Sequence, residues 1–333
     1  MLTLGDKKLV FSFPEVHPDA ICEIDFRRTL RLPDDNKVYP LPPGLGKFPL
    51  VHTEDYSHST PQAWQKYGGV MMPMYQSEAM WLCFDSPKEY PFAIKIATGK
   101  INAVTGSQWD NSLKSSPQDY LAIPKQPWLD GFHTSDNIVR QFVAMPLGQG
   151  FSAEEQLTGK AEFGGIQIIV YPMKAEKYEE ILERRKQPTA MGSAPMVNMM
   201  CNFFEEPLSM GISPGGRIKQ EIYTDQYNLK DYDLTTFSRC FIQLVNSEQW
   251  ETITNSKPPT EPFTAQDYEE AGLPWFDYYS DSPALKAGDT LPSLKGVASK
   301  WLDKHGTEMN NNQSVSPKNI IKIKENQVND GDW

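Results

Sequence analysis

Short runs of alternating apolar and polar residues extend over much of the chain. A period of two is typical of β-strands that bury one face against a core. The run at 166–171 is instead almost continuously apolar, as expected for a strand buried on both faces. The pattern predicts strands at residues 9–13, 21–32, 79–84, 92–97, 100–104, 120–123, 138–145, 166–171, 217–223 and 240–245.

Helical periodicity is confined to a few short segments. Ser152 and Glu155 form a capping-box pattern, in which the hydroxyl and the carboxylate satisfy backbone N–H groups at a helix start, and a similar pattern precedes residues 268–271. Apolar residues at helical spacing predict further helices at 175–186 and 294–305. The sequence therefore predicts an α+β, β-dominated fold: an antiparallel sandwich or a distorted barrel with a few short helices.

Composition divides the chain into four parts. Residues 1–186 form a predicted β-rich domain, and residues 217–305 either continue it or form a second subdomain of strands and helices. Between them, residues 187–216 combine Met, Gly and Pro without a period, which predicts a long loop or a lid. Residues 306–333 contain a polar tract that buries too little apolar surface to fold, which predicts a disordered tail.

The overall charge is acidic, with 32 Lys and Arg residues against 43 Asp and Glu residues and a net charge of −11. Such a balance repels phosphate backbones and anionic lipids, so we expect neither a nucleic acid nor a membrane as a partner. No apolar run approaches the roughly 18 residues that a membrane span needs. The charged start of the chain lacks the apolar core of a secretory signal. These features predict a cytoplasmic protein.

More than half of the acidic excess lies in one segment, residues 250–290. This segment contains eight acidic residues, two lysines and seven aromatic residues. An acidic surface rich in aromatic rings suits cations, sugars or a basic protein partner. The alternative is that the charges only solvate one face of the protein.

The sequence lacks the common motifs of catalysis and cofactor binding. Residues 148–153 fit the G-x-G-x-x-A dinucleotide pattern, but the helix after them is too short and no ribose-binding acid follows the next strand. There is no G-x-S-x-G nucleophile elbow and no P-loop, so the sequence identifies no cofactor. A metal site is a further hypothesis, because His52, Glu54 and His58 lie within seven residues and offer ligands for a divalent ion.

A repeated phrase gives the main candidate site. Pro-Trp-Leu-Asp at 127–130 recurs as Pro-Trp-Phe-Asp at 274–277, and aromatic residues follow both copies. Rings that stack on sugar faces beside carboxylates that bind hydroxyls would form a carbohydrate site, and two acids could also cleave a glycoside. The alternative is structural: each Trp anchors a loop to the core and each Asp caps a turn. The candidate ligand-binding residues are Trp128, Asp130, Trp275, Asp277 and Tyr278.

Several segments resemble a family of uncharacterised bacterial proteins. They are RTLRLPDD at 28–35, YPLPPGLG at 39–46, EAMW at 78–81, QFVAMPLG at 141–148, QLTG at 156–159 and AGLPWFD at 271–277. The resemblance implies no activity, cofactor or catalytic residue. The sequence therefore favours a soluble, non-catalytic binding or interaction protein, with a protein partner or a small polar ligand such as a sugar. The alternative is a carbohydrate-active hydrolase that uses paired carboxylates beside Trp residues.

Overall fold

The computed structural model describes residues 1–185, 209–280 and 282–324. In chain order, its strands are β1 (Leu2–Gly5), β2 (Lys8–Ser12), β3 (Ile21–Thr29), β4 (Val38–Tyr39), β5 (Gly44–Lys47), β6 (Val51–His52), β7 (Val70–Met74), β8 (Ala79–Asp85), β9 (Phe92–Thr98), β10 (Ile101–Asn102), β11 (Leu121–Ile123), β12 (Trp128–Leu129), β13 (Gly131–Ser135), β14 (Ile138–Pro146), β15 (Ile166–Pro172), β16 (Met210–Lys219), β17 (Ser238–Asn246), β18 (Trp275–Tyr279) and β19 (Ile320–Lys324). The α-helices are α1 (Gln62–Tyr67), α2 (Ala153–Thr158), α3 (Ala175–Arg185), α4 (Ser247–Thr254), α5 (Ala265–Glu270) and α6 (Val297–His305). Short 3₁₀ turns lie at Thr53–Tyr56, Leu229–Asp231 and Leu291–Ser293.

The strands form two large sheets and one small sheet. The first has the order β1-β2-β3-β8-β14-β16-β4, with β5, β12 and β13 added to β3, β8 and β14. The second has the order β10-β9-β15-β17-β7-β6, with β11 added to β9. Most neighbours are antiparallel, but β4 runs parallel to β16 and β7 runs parallel to β17. The small sheet is the parallel pair β18-β19.

The main core lies between the two large sheets and follows from the period of two. On β3, Cys22, Ile24 and Phe26 are fully buried in this core, and alternate residues point away from it. The strand β15 is buried along its whole length because it pairs with β9 on one side and β17 on the other. This arrangement agrees with the continuous apolar pattern at 166–171.

The predicted α+β, β-dominated class is confirmed. Strands account for 37% of the structure and helices for 19%, and the described residues form no closed barrel, so the sandwich alternative holds. The capping box predicted at Ser152 and Glu155 starts α2. None of the helices in the described part of the chain is long and apolar enough to cross a membrane.

Two predicted segments differ from the structure in part. Most of the proposed loop or lid at 187–216 lies outside the described residues, but Met210 and the residues after it form β16, which pairs with β14. The strand predicted at 217–223 covers only the end of β16, because Pro214 and three glycines interrupt the pattern before it. The backbone of β16 nevertheless pairs with β14, and most of its residues are buried.

The chain after residue 305, where composition predicts disorder, makes defined contacts up to Lys324. Arg31 is buried, and its guanidinium donates hydrogen bonds to the carbonyl oxygens of Asn310 (2.6 Å) and Asn311 (2.8 Å). Farther along, β19 pairs with β18. A buried guanidinium requires acceptors, and here the polar tract provides them, which its composition alone does not reveal. Residues 325–333 lie outside the described residues.

Candidate functional site

The structure brings the two copies of the repeated phrase together. Trp128 lies on β12, which extends the first large sheet beyond β8, and Tyr278 lies on β18 of the small sheet. Their rings meet edge to face, with centroids 4.8 Å apart and planes at 85°. This is a favourable aromatic geometry, and it joins two segments that are about 150 residues apart in sequence.

A small surface cleft opens beside these two rings. Its lining consists of Gln126, Trp128, Lys219, Gln220, Glu221, Tyr223, Tyr278 and Ser280, and its volume is about 50 Å³. Pockets that enclose a small-molecule ligand usually have roughly 300–1,000 Å³. The cleft can therefore admit only a small chemical group, and the rest of a ligand would lie on the surface across the aromatic rings.

Two glutamines that the sequence analysis missed hold the walls of the cleft together. The Gln126 amide donates to the carbonyl oxygen of Trp128 (3.0 Å) and accepts from the backbone N–H of Tyr223 (2.9 Å). The Gln220 side chain accepts from the backbone N–H of Asp130 (2.9 Å). The bonds to Tyr223 and Asp130 join segments that are 97 and 90 residues apart in the chain. The bond from Gln126 to Trp128 is local and fixes the turn between these two residues. No sequence motif marks such a pair, because its function depends on the tertiary fold.

Asp130 lies beneath Trp128 and is not part of the cleft lining. Only 3% of its surface is exposed, and its carboxylate accepts a 2.7 Å hydrogen bond from the indole N–H of Trp128. Burial raises the pKa of this carboxyl to about 7, and the hydrogen bond from Trp128 only partly opposes that effect. Asp130 is therefore a buried carboxyl that changes its protonation state near neutral pH.

The second aspartate and the second tryptophan have separate environments. Asp277 forms a 3.1 Å ion pair with Lys219, and Trp275 is fully buried with its indole N–H bonded to Glu269 at 3.0 Å. Lys219 contacts Asp277 while its neighbour Gln220 contacts Asp130, so the two aspartates flank the same stretch of chain. Trp275 fits the structural alternative, as a loop anchor, whereas Trp128 is partly exposed at the cleft.

The acids of the segment 250–290 have several local roles. Asp267 forms a capping box with Thr264 at the start of α5, Glu269 binds Trp275, and Asp277 binds Lys219. Asp281 lies outside the described residues. Some of the acidic residues of the segment 250–290 therefore stabilise the fold of this segment itself.

The predicted metal ligands lie on three successive parts of the chain. His52 ends β6, Glu54 is in the 3₁₀ turn that follows, and His58 comes after that turn. In the described ranges of the chain, no group of three or more His, Cys, Asp or Glu side chains is placed to hold a metal ion. The structure therefore does not assemble His52, Glu54 and His58 into a ligand set.

Comparisons with protein-family models, curated proteins and solved structures find no match to this chain.

Proposed function

We propose that this protein is a non-catalytic binding protein and that its cleft at Trp128 and Tyr278 takes a small polar ligand of the sugar class. The observation that carries the proposal is the edge-to-face contact of these two rings at the mouth of a polar cleft. The aromatic surfaces provide apolar area for a sugar face. The groups beside them include an ammonium, a carboxylate and a hydroxyl from Lys219, Glu221 and Ser280, which suit the mixed donors and acceptors of a polyol.

The size of the cleft supports a specific binding mode. About 50 Å³ matches one hydroxyl or hydroxymethyl group, or one or two water molecules. A sugar would therefore insert one substituent into the cleft beside the two rings and expose its other faces. This binding mode suits the end or edge of a longer saccharide. The alternative occupant of the cleft is a polar side chain that protrudes from a protein partner.

Binding of methyl glycosides of glucose, galactose and mannose, measured by isothermal titration calorimetry, tests this proposal. We expect Trp128→Ala and Tyr278→Ala each to weaken binding about tenfold, which corresponds to about 1.4 kcal/mol of lost aromatic contact. Tyr278→Phe retains the ring and should bind within about twofold of the wild type if stacking dominates.

Trp301→Ala is the matched control, because Trp301 lies on α6 and packs against Phe151, outside the cleft. It removes an indole without touching the proposed site, so binding should not change. No measurable binding of any glycoside, or equal losses in Trp128→Ala and Trp301→Ala, would rule out the proposed site.

One observation favours the second candidate function, a carbohydrate-active hydrolase. A carboxyl whose pKa is about 7 is suited to act as a general acid at neutral pH. Against this role, Asp130 is buried beneath Trp128 and Asp277 is paired with Lys219, and neither aspartate lines the cleft. These contacts support binding as the leading proposal.

The hydrolase candidate has a direct test with p-nitrophenyl glycosides. If the aspartates are catalytic, Asp130→Asn combined with Asp277→Asn should reduce turnover by about 100-fold or more. Under the binding proposal, the wild type should give no turnover above the buffer rate. Turnover that survives in the double variant would eliminate the paired aspartates and point to other residues.

We propose that the protein acts in the cytoplasm. The three cysteines in the described part of the chain, Cys22, Cys83 and Cys240, are free thiols. Burial raises their pKa values, to about 11 for Cys83 and about 12 for Cys240, which keeps the thiols protonated and unreactive. Free thiols suit a reducing compartment.

A further inference from the structure

The small sheet ends in a strand with a free edge. On one side of β18, Phe276 exchanges two backbone hydrogen bonds with Leu41, at 2.7 and 3.0 Å. On its other side, β18 pairs with β19. Among residues 1–185, 209–280 and 282–324, β18 is the only strand that pairs with β19. The outer side of β19 is therefore a sheet edge.

The hydrogen bonds between the two strands show which backbone groups of β19 face this edge. The N–H of Trp275 donates to the carbonyl oxygen of Asn319 (2.8 Å). In a parallel pair, alternate residues of a strand bond to the same neighbour, so the N–H groups of Ile321 and Ile323 are directed toward β18. The N–H and C=O groups of Lys322, which lies between them, point away from β18 toward the free edge.

The side chains of β19 are exposed and mostly apolar. The exposed fractions of Ile320, Ile321 and Ile323 are 44%, 38% and 42%. Successive side chains of a strand point to opposite faces, so both faces of β19 present apolar surface. Free N–H and C=O groups on an edge strand are a template for pairing with another strand. An added strand would satisfy these groups and bury the three isoleucines at the same time.

The chain at β19 is basic, although the protein as a whole is acidic. Residues 309–324 contain three lysines, Lys318, Lys322 and Lys324, and no acidic residue. Lys322 is exposed and lies opposite Asp277 in the register, but Asp277 forms its ion pair with Lys219 (3.1 Å). No acidic side chain in the described part of the chain forms an ion pair with Lys322. The charge at this edge therefore favours an acidic partner.

We propose that β19 is the docking edge for an extended acidic segment of a partner protein, which adds to the small sheet as a further strand. The backbone of the segment would bond to the outward N–H and C=O groups of Lys322. An acidic side chain would lie opposite Lys322, and apolar side chains on the other face would cover Ile321 and Ile323. A second copy of the chain fits less well, because two β19 strands paired antiparallel about Lys322 would place two lysines opposite each other.

This proposal does not rest on the function proposed above. The cleft uses Tyr278 of β18, whereas the partner segment would contact the outer edge of β19. The experiment below uses a peptide and no sugar, so a failure at one site is distinguishable from a failure at the other.

A short peptide of alternating Glu and Val residues, labelled with fluorescein, is the probe that tests the edge. It places its carboxylates on one face of a strand and its apolar side chains on the other. We expect fluorescence anisotropy to show saturable binding of this peptide to the full-length chain. A matched peptide with Lys in place of Glu should bind about tenfold more weakly, because its charges repel Lys322.

Two substitutions at Lys322 separate the backbone contribution from the charge. Lys322→Pro removes the outward N–H but leaves the N–H groups of Ile321 and Ile323 for β18, and edge strands tolerate proline. It should weaken binding of the acidic peptide about tenfold through the lost hydrogen bond. Lys322→Glu should weaken binding of the acidic peptide about fivefold and strengthen binding of the lysine peptide by a similar factor. A loss of fold would not produce this exchange of preference.

Lys66→Glu is the matched control, because Lys66 is an exposed lysine on α1, outside the small sheet. It makes the same charge change and should leave the binding of both peptides unchanged. The proposal is overturned if the acidic peptide shows no saturable binding, or if Lys66→Glu and Lys322→Glu have equal effects. A dimer in light scattering that Lys322→Pro converts to a monomer would also overturn it, by assigning the edge to a second copy. If Lys322→Pro does not fold, the Lys322→Glu and Lys66→Glu pair decides alone.

Discussion

Replacing Lys95 with methionine is expected to lower the free energy of unfolding by about 3–5 kcal/mol. Lys95 lies on β9 and is fully buried. Its ammonium forms a 2.7 Å ion pair with the equally buried Asp119 and donates a 2.6 Å hydrogen bond to the carbonyl oxygen of Ser112. Methionine fills a similar volume but leaves the carboxylate of Asp119 buried without a counter-charge. Urea unfolding at neutral pH, followed by tryptophan fluorescence, measures the loss.

Two further variants separate the buried charge from other effects of the substitution. Adding Asp119→Asn to Lys95→Met removes the unpaired charge, so the double variant should recover a substantial part of the lost stability. Lys114→Met breaks an exposed ion pair with Asp110, and surface pairs contribute little. A loss in Lys114→Met as large as that in Lys95→Met would contradict the assignment, as would a double variant no more stable than the single one.

The period-two pattern predicts most of the sheet but not its polar interior. It locates β3, β8, β9, β14, β15 and β17 because apolar residues recur along their sequences with a period of two or in a continuous run. It cannot distinguish Lys95 from a solvent-exposed lysine, since the residues that neutralise Lys95 lie on a separate loop at 110–119. The pattern misses β7 and most of β16, because glycines and prolines interrupt it there. Hydrogen bonds to the neighbouring strands hold these segments in the sheets.

The candidate site could be predicted only in part. The repeated Trp phrase singled out two segments, and the rings of Trp128 and Tyr278 in these segments are in contact. The sequence could not tell that Trp275 is an internal anchor, because both copies have the same local composition.

The stability of the protein near neutral pH should depend on Asp130. Burial raises the pKa of its carboxyl from the ordinary value of 3.8 to about 7 in the folded state. Between these two values the folded state binds more protons than the unfolded state, so this group makes the protein less stable as the pH rises from about 4 to about 7. The effect should be complete above about pH 7, where the buried carboxylate is ionised.

Asp130→Asn should therefore stabilise the protein at pH 8 by several kcal/mol, on the order of 4 for a shift of this size, and change little at pH 4. Asparagine cannot ionise, yet its carbonyl oxygen can still accept the indole N–H of Trp128. The measurement is the difference in unfolding free energy between variant and wild type across this pH range. His133, whose pKa burial lowers, contributes with the opposite sign at acidic pH, but it is present in both proteins and cancels in the difference. Stability curves that run parallel for the two proteins would contradict this prediction. They would mean that Asp130 is already ionised at pH 4 in the folded state, because Trp128 and the other surroundings of Asp130 stabilise its charged form.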